Sequence, residues 1–469
     1  MSAAAHLAGA AALAALLTSA VPAAAQESRI AAEFRREAEH FRESCGNASS
    51  LMSCAVLVAT GKPLHLAIGS IAPENGVALG GAFGTSYAPS ETWRVSWSAD
   101  AVKSFKGAWR AGVYLTLVRT PEDVITVVTD PAAAPAPGAL AVRPSTVFNL
   151  YGQTTTLGHV GYYGLGPDSS ADDRTGYGYR HTVVGGSLVA PISTFALARA
   201  LNLSILAEAN GRFAAVREGA SGDEPSVGDV FTDAGAPGLT EQPNVLQVGE
   251  GARLRPDVFG GRLRFDYLVR FQQFFGEGAS FRRWRIDLDH EIPIYGRSGR
   301  VQARDANDPN SCAVTPGGDC PPVSVSRDRR GSIGVRALYV TSSASAGDVV
   351  PFYFQPTLGG QDINGRAGLS GFDDYRFRGP HLVLLQQSIE HSVWGPIGAW
   401  FQLEQGMVGL RRGEISLARL RTSAGAGLTV RAGGFPMIVV SLARAGGGHH
   451  FSATINTSLL GGSPRPPLD

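Results

Sequence analysis

Between Gly365 and Pro380 the chain reads GRAGLSGFDDYRFRGP, with four glycines, five charged residues and three aromatics in sixteen positions. Arg366, Arg376 and Arg378 can each offer a planar guanidinium to a carboxylate or lay it on a ring. Asp373 and Asp374 form a carboxylate pair of the kind acid–base chemistry uses. A second acidic row, Asp287, Asp289 and Glu291, continues the same face as Arg283 and Arg285. Opposite charges in such rows can neutralise one another between neighbouring strands, which accounts for them more simply than catalysis does. His449-His450 is the only adjacent histidine pair and has no Cys or carboxylate at ligand spacing. The glycines of GVALGGAFG, Gly76 to Gly84, lack the Lys-Ser/Thr of a phosphate loop, and no Gly-x-Ser-x-Gly occurs. The expectation is a protein that is not an enzyme and needs no metal and no cofactor.

The four cysteines divide by spacing into Cys45 with Cys54 and Cys312 with Cys320. Short disulfide-closed loops suit an exported chain better than free thiols or a metal site do. Export is also the reading of residues 1–25, an apolar run ending in PAAAQ, which places cleavage after Ala25. Net charge is +1 and only 17% of residues are charged, which gives no electrostatic case for nucleic acid.

These residues need elements to position them. Ile30, Phe34, Ala38 and Phe41 fall three or four apart and predict a short helix over 27–44, packed in or against the periplasmic mouth of a barrel. From residue 63 the period changes to two. In RLRFDYLVRFQQF, Leu263, Phe265, Tyr267, Val269 and Phe271 face one way, and Arg262, Arg264, Asp266, Arg270 and Gln272 the other. In FRRWRIDLDHEIPIY, Trp284, Ile286, Leu288 and Ile292 alternate with charges. Strands of about 10 residues with one apolar and one charged face are the signature of a transmembrane barrel. The fold class is therefore all-β, a transmembrane antiparallel β-barrel of about 16 strands with a short N-terminal helix. Long insertions stand at 121–147, 217–247 and 301–328, and long loops are expected at one end of such a barrel with short turns at the other. The predicted organisation is signal peptide 1–25, helix and Cys45/Cys54 segment 26–62, barrel 63–460 and tail 461–469.

The order TLGG, then LSGFDDYRFRG, then a strand ending in GPIGAWFQLEQGMV, resembles the BamA/TamA family of outer-membrane assembly barrels, also called bacterial surface antigens. The resemblance covers about residues 63–460, and YYGLGPDSSADDRTGY, Tyr162 to Tyr177, looks like a recurrent early element of short members. It implies a long loop folded into the barrel, carrying Leu-Arg-Gly-Phe/Tyr and then Tyr-Arg-Phe. Here Leu369, Ser370, Gly371 and Phe372 stand at the first motif and Tyr375, Arg376 and Phe377 at the second, followed by Arg378. The family's Phe-x-Asp-x-Gly on a following strand becomes Gln402-Leu403-Glu404-Gln405-Gly406. The family ties its loop arginine to that wall carboxylate. Ser370 cannot form an ion pair, so Arg376 or Arg378 is expected to take its place against Glu404. Alternation turns Trp400, Gln402, Glu404 and Gly406 to one face, the lumen side. Residues 26–62 are too few for the POTRA domains that precede most such barrels.

The resemblance implies an outer-membrane location, outer-membrane lipids and unfolded outer-membrane or exported proteins as partners, and a monomer that inserts or translocates protein or lipid. Two other readings stand beside it: a passive porin-like channel plugged by the 365–380 loop, and a structural surface antigen.

Overall fold

The computed structural model describes residues 64–90, 92–119, 145–219, 224–258, 263–303, 323–394, 397–432, 435–446, 448–455 and 466–468. All of these belong to the unit Leu64–Asp469. The predicted signal peptide, helix 27–44, Cys45, Cys54, Cys312 and Cys320 lie outside the described residues.

The strands are β1 Leu64–Ser70, β2 Val77–Tyr87, β3 Trp93–Ser104, β4 Trp109–Arg119, β5 Thr146–Tyr162, β6 Thr175–Pro191, β7 Ser204–Glu218, β8 Val245–Leu254, β9 Asp257–Val258, β10 Leu263–Phe275, β11 Phe281–Ala303, β12 Val323–Ala344, β13 Thr357–Leu358, β14 Phe377–Arg378, β15 His381–Trp394, β16 Ile397–Gly409, β17 Arg421–Ala432, β18 Phe435–Ala445 and β19 Gly448–Ile455. The main sheet has 17 strands, one of them the two-residue β9, which extends the ladder beside β10. The sixteen others pair antiparallel with their neighbours along the chain, so all connections are local. β1 and β19 lie side by side, yet no ladder among the described residues joins them. β13 and β14 form a separate two-stranded ribbon.

The period-two pattern explains which way each strand faces. Trp97, Val113, Trp284, Ile389, Phe401 and Leu442 are exposed on the outer face. No helix among the described residues is long and apolar enough to cross a membrane; strands do that here. The inner face carries the charge rows, and opposite signs meet within a strand, between adjacent strands and across an intervening one. Arg336 Nε lies 2.8 Å from Asp287 Oδ1 and Arg285 Nη2 3.1 Å from its Oδ2. Arg253 and Arg255 both bind Asp266, and Arg270 faces Glu208 at 3.8 Å.

The inside is more apolar than a row of charges implies. Tyr162, Tyr177, Tyr179, Phe274 and Phe281 of the wall pack with Phe352, Tyr353 and Phe354 in one buried cluster. That triplet is a turn of 3₁₀ helix in the long connection between β12 and β15. A loop inside the barrel thus has an aromatic core to rest on, worth roughly 1.5–3 kcal/mol for each ring fully buried.

The strand order corrects one expectation. The insertions between β4 and β5 and between β11 and β12 leave the barrel at the end opposite the β12–β15 connection, so long connections occur at both ends. Ladders between neighbouring strands fix register and leave loop length free at either rim.

Candidate functional site

The connection 345–380 enters through the β13/β14 ribbon, in which Thr357 pairs with Arg378 and Leu358 with Phe377. The ribbon closes a loop over 359–376 whose turns need left-handed backbone. Gly359 (φ +106°) is one such turn, and a Cβ there would lie 2.4 Å from that of Arg376. Leu369 (φ 59°) and Tyr375 (φ 61°) adopt the same region with bulky side chains, at a cost of about 1–3 kcal/mol each. Burial offsets the strain. Leu369 is fully buried among Leu338, Leu358, Phe377, Leu382, Leu384 and Val408, and Tyr375 donates its hydroxyl to Pro73 O at 3.2 Å.

The strained Leu369 turns the next two peptides toward the wall. The main-chain N–H of Ser370 donates to Glu404 Oε2, and that of Gly371 to Ser423 Oγ at 2.7 Å. Glu404 is 1% exposed. Its Oε1 accepts from Gln386 Nε2 at 2.8 Å and from Gln402 Nε2 at 2.9 Å. The carboxylate is therefore held by neutral donors, two side-chain amides and one peptide. His450 Nδ1 meets Ser370 O at 3.1 Å from β19. Gly371 lies against β18, where a Cβ would stand 2.4 Å from Arg444 C and 2.6 Å from Ala445 N. Gly406 has a matching reason: a Cβ there would meet Val383 O at 2.9 Å and Leu358 at 3.1 Å. Phe372 packs edge-on against Phe377, ring centroids 5.1 Å apart.

The arginines go elsewhere. Arg376 reaches the β5–β6 connection, donating Nη1 to Ser169 Oγ at 2.8 Å and Nη2 to Ser169 O. Its guanidinium lies over Tyr163 at 5.0 Å and Phe377 at 4.7 Å, and burial pulls its pKa below the ordinary value. Arg378 is buried, donates Nη1 to Phe352 O at 2.8 Å and Nη2 to Tyr177 Oη at 3.4 Å, and its guanidinium carbon lies 5.6, 6.0 and 5.8 Å from the ring centroids of Tyr162, Tyr177 and Phe352. The Arg378 carbonyl accepts from Gly166 N–H at 2.7 Å. The Arg–Glu404 ion pair expected from the motif is thus replaced. The loop backbone meets Glu404 directly, and the two arginines fasten the loop to the Tyr162–Tyr177 element. A peptide N–H reaches Glu404 because Leu369 fits the wall so closely that no long side chain is needed to bridge the gap.

The β1–β2 turn joins the same assembly. Asn75 is buried and acts as an extra peptide in the irregular part of β5 between Leu157 and Val160. Its Oδ1 accepts from Gly158 N–H (3.0 Å) and His159 N–H (3.2 Å), and its Nδ2 donates to His159 O (2.7 Å). Beside it Glu74 accepts from Gly161 N–H at 3.0 Å and pairs with Arg174 at 2.9 Å. Burial pushes the Glu74 carboxyl up to about 7, against the opposing pull of Arg174 and with a further push from Asp374. Asp374 itself is raised by burial, while Gln361 N–H, 2.7 Å from its Oδ1, acts the other way. A cavity between loop and wall is lined by Ser70, Glu74, Asp374, Val439, His450 and Ser452, next to β1 and β19.

Sequence reasoning did not single out Asn75, Glu74 or Ser169. Asn in a short polar turn, Asn75 in PENG, is the one signal that could have found the first of them. Asp287 pairs with Arg285 and Arg336, and Asp374 accepts from Gln361 N–H. Among the described residues no group of three or more His, Cys, Asp or Glu is placed to hold a metal ion.

No family model matches the sequence, and no curated protein matches it. Among solved structures the chain is similar to BamA from Haemophilus ducreyi lacking POTRA domains 1–3, with a TM-score of 0.48 and 9% identity over 84% of this chain and 69% of that one. It is similar to CdiB from Acinetobacter baumannii (TM-score 0.44, 11% identity, 83% of this chain and 59% of that one). It is also similar to CdiB from Escherichia coli (TM-score 0.45, 11% identity, 84% and 62%), so the chain spans about 60% of the length of each CdiB.

Proposed function

We propose that this protein is an outer-membrane barrel of the BamA/TamA type that passes or inserts protein or lipid through the seam between β1 and β19. One observation supports the reading: β1 and β19 are neighbours between which the described residues show no ladder, and the 359–376 loop is fastened beside β19 through Ser370 and His450. An unpaired strand edge is a template for another strand, and barrels otherwise abolish such edges. The aromatic filling of the interior speaks against free passage of solutes along the axis. The outer apolar face together with the predicted signal peptide supports a location in the outer membrane.

The test is the outer-membrane proteome and lipid content of a deletion strain. Loss of particular barrels or lipids is the expected result. An unchanged envelope with altered uptake of small solutes would replace this reading with the porin-like one.

A further inference from the structure

Pro466–Leu468 sits inside the barrel, far in sequence from everything it touches. Leu468 is 6% exposed and belongs to the inner apolar cluster that also holds Phe354 and Ile363. Its N–H donates to Asn364 Oδ1 at 2.8 Å, and the Pro467 carbonyl accepts from Arg212 Nη1 at 3.1 Å. Arg212 is 1% exposed, and its Nε donates to Gln247 Oε1. Gln247 Nε2 donates in turn to Glu208 Oε1 at 2.9 Å, which also accepts from Gln272 at 2.8 Å. This buried polar chain across β7, β8 and β10 fixes the guanidinium where the carbonyl arrives.

The chemistry read here is that of a polypeptide main chain. One carbonyl, one N–H and one aliphatic side chain are recognised, and no side-chain polar group of the segment is used in these contacts. Pro466 and Pro467 bring no N–H to satisfy and are stiff before they bind, which lowers the entropic cost of docking. We infer that Arg212, Asn364 and the surrounding apolar cluster form a peptide-binding subsite, that Pro466–Leu468 is its internal ligand, and that an extended polypeptide carrying a Pro-aliphatic step competes for it. The subsite stands independently of the seam reading, since its occupant is part of this chain.

The test uses the full-length barrel in detergent and a labelled peptide with the sequence of residues 463–469, SPRPPLD. Leu468→Asp puts a carboxylate into the apolar cluster and drives the internal segment out. The peptide is expected to bind the Leu468→Asp barrel saturably, and the unaltered barrel about ten-fold or more weaker, because the free subsite is then a minor state. Adding Asn364→Ala to Leu468→Asp should weaken peptide binding again. On the unaltered chain the Leu468 amide should be protected from exchange, and Asn364→Ala should release it. Equal binding to both barrels, no binding to a Leu468→Asp barrel whose β-sheet circular dichroism matches the parent's, or an unprotected Leu468 amide overturns the inference. Peptide binding with an unchanged deletion-strain envelope would retain the subsite and discard the assembly function.

Discussion

Glu404 on β16 receives the main-chain N–H of Ser370, and no guanidinium stands between them. The motif position that would carry an arginine is thereby made redundant: the loop lies so close to the wall that its own peptide does the arginine's work. A hydrogen bond to a charged acceptor contributes about 1.5–3 kcal/mol. Glu404→Ala should loosen the loop by that amount, seen as faster amide exchange at Ser370 and Gly371. A double-mutant cycle between Arg376 and Glu404 should give a coupling near zero. A coupling above about 1 kcal/mol would restore the ion-pair reading.

Gly371→Ala should lift the loop from β18. Its Cβ would fall 2.4 Å from a backbone carbon, where no side chain can yield. Overpacking of this kind costs about 1–3 kcal/mol. Protease cleavage within 359–376 should appear in the variant and be absent from the parent.

Arg378→Lys is not conservative in this setting. An ammonium lacks the planar fork that donates to Phe352 O and Tyr177 Oη at once among the Tyr162, Tyr177 and Phe352 rings. A loss of about 2–3 kcal/mol is expected, from the carbonyl bond and the ring contacts together. The checking measurement is the denaturant midpoint for loss of β-sheet circular dichroism.

The turn that holds Glu74 should respond to pH. Its carboxyl is raised from 4.5 to about 7, so between those values the folded form binds more protons than the unfolded one. The contribution is greatest below pH 4.5 and is lost as pH rises through 7. Protection of the Gly158 and His159 amides held by Asn75 should fall over that interval once intrinsic exchange is corrected for. Glu74→Gln should flatten the profile. His159, Glu224, Arg174 and Asp374 face the same group, so a profile unchanged in Glu74→Gln would assign the titration to them.

The architecture was legible where burial is one-sided. Leu263 to Phe271 and Trp284 to Ile292 alternate because one face meets an apolar surround and the other meets neighbouring charges, and Glu404 was placed inward on the same ground. Strands whose outer face is not consistently apolar were less visible. β5 exposes Phe148 and Leu150, but Gly152, Thr154 and Thr156 follow in the same row and break the apolar pattern. β8 begins within what read as the insertion 217–247. The helical turn Ala196–Ala200 just before β7 has no pattern of its own that separates it from the strand. At the site, composition announced a built loop but not its fastenings. No local signal foretells that Leu369 and Tyr375 take left-handed backbone, because tertiary packing imposes it. The partners of Arg376 and Arg378 are main-chain carbonyls, two hydroxyls and aromatic faces, acceptors that a search for carboxylates passes over.

Passage through the seam is open to a direct test. Cysteines introduced on β1 and β19 can be joined by a short cross-linker in cells whose only copy of the protein carries them. The outer-membrane proteome and lipid content are then compared before and after reduction of the link. The joined barrel is expected to reproduce the deletion envelope, and reduction to restore the parental one. A fully joined barrel with a parental envelope, in a background where deletion alters it, would contradict passage through the seam.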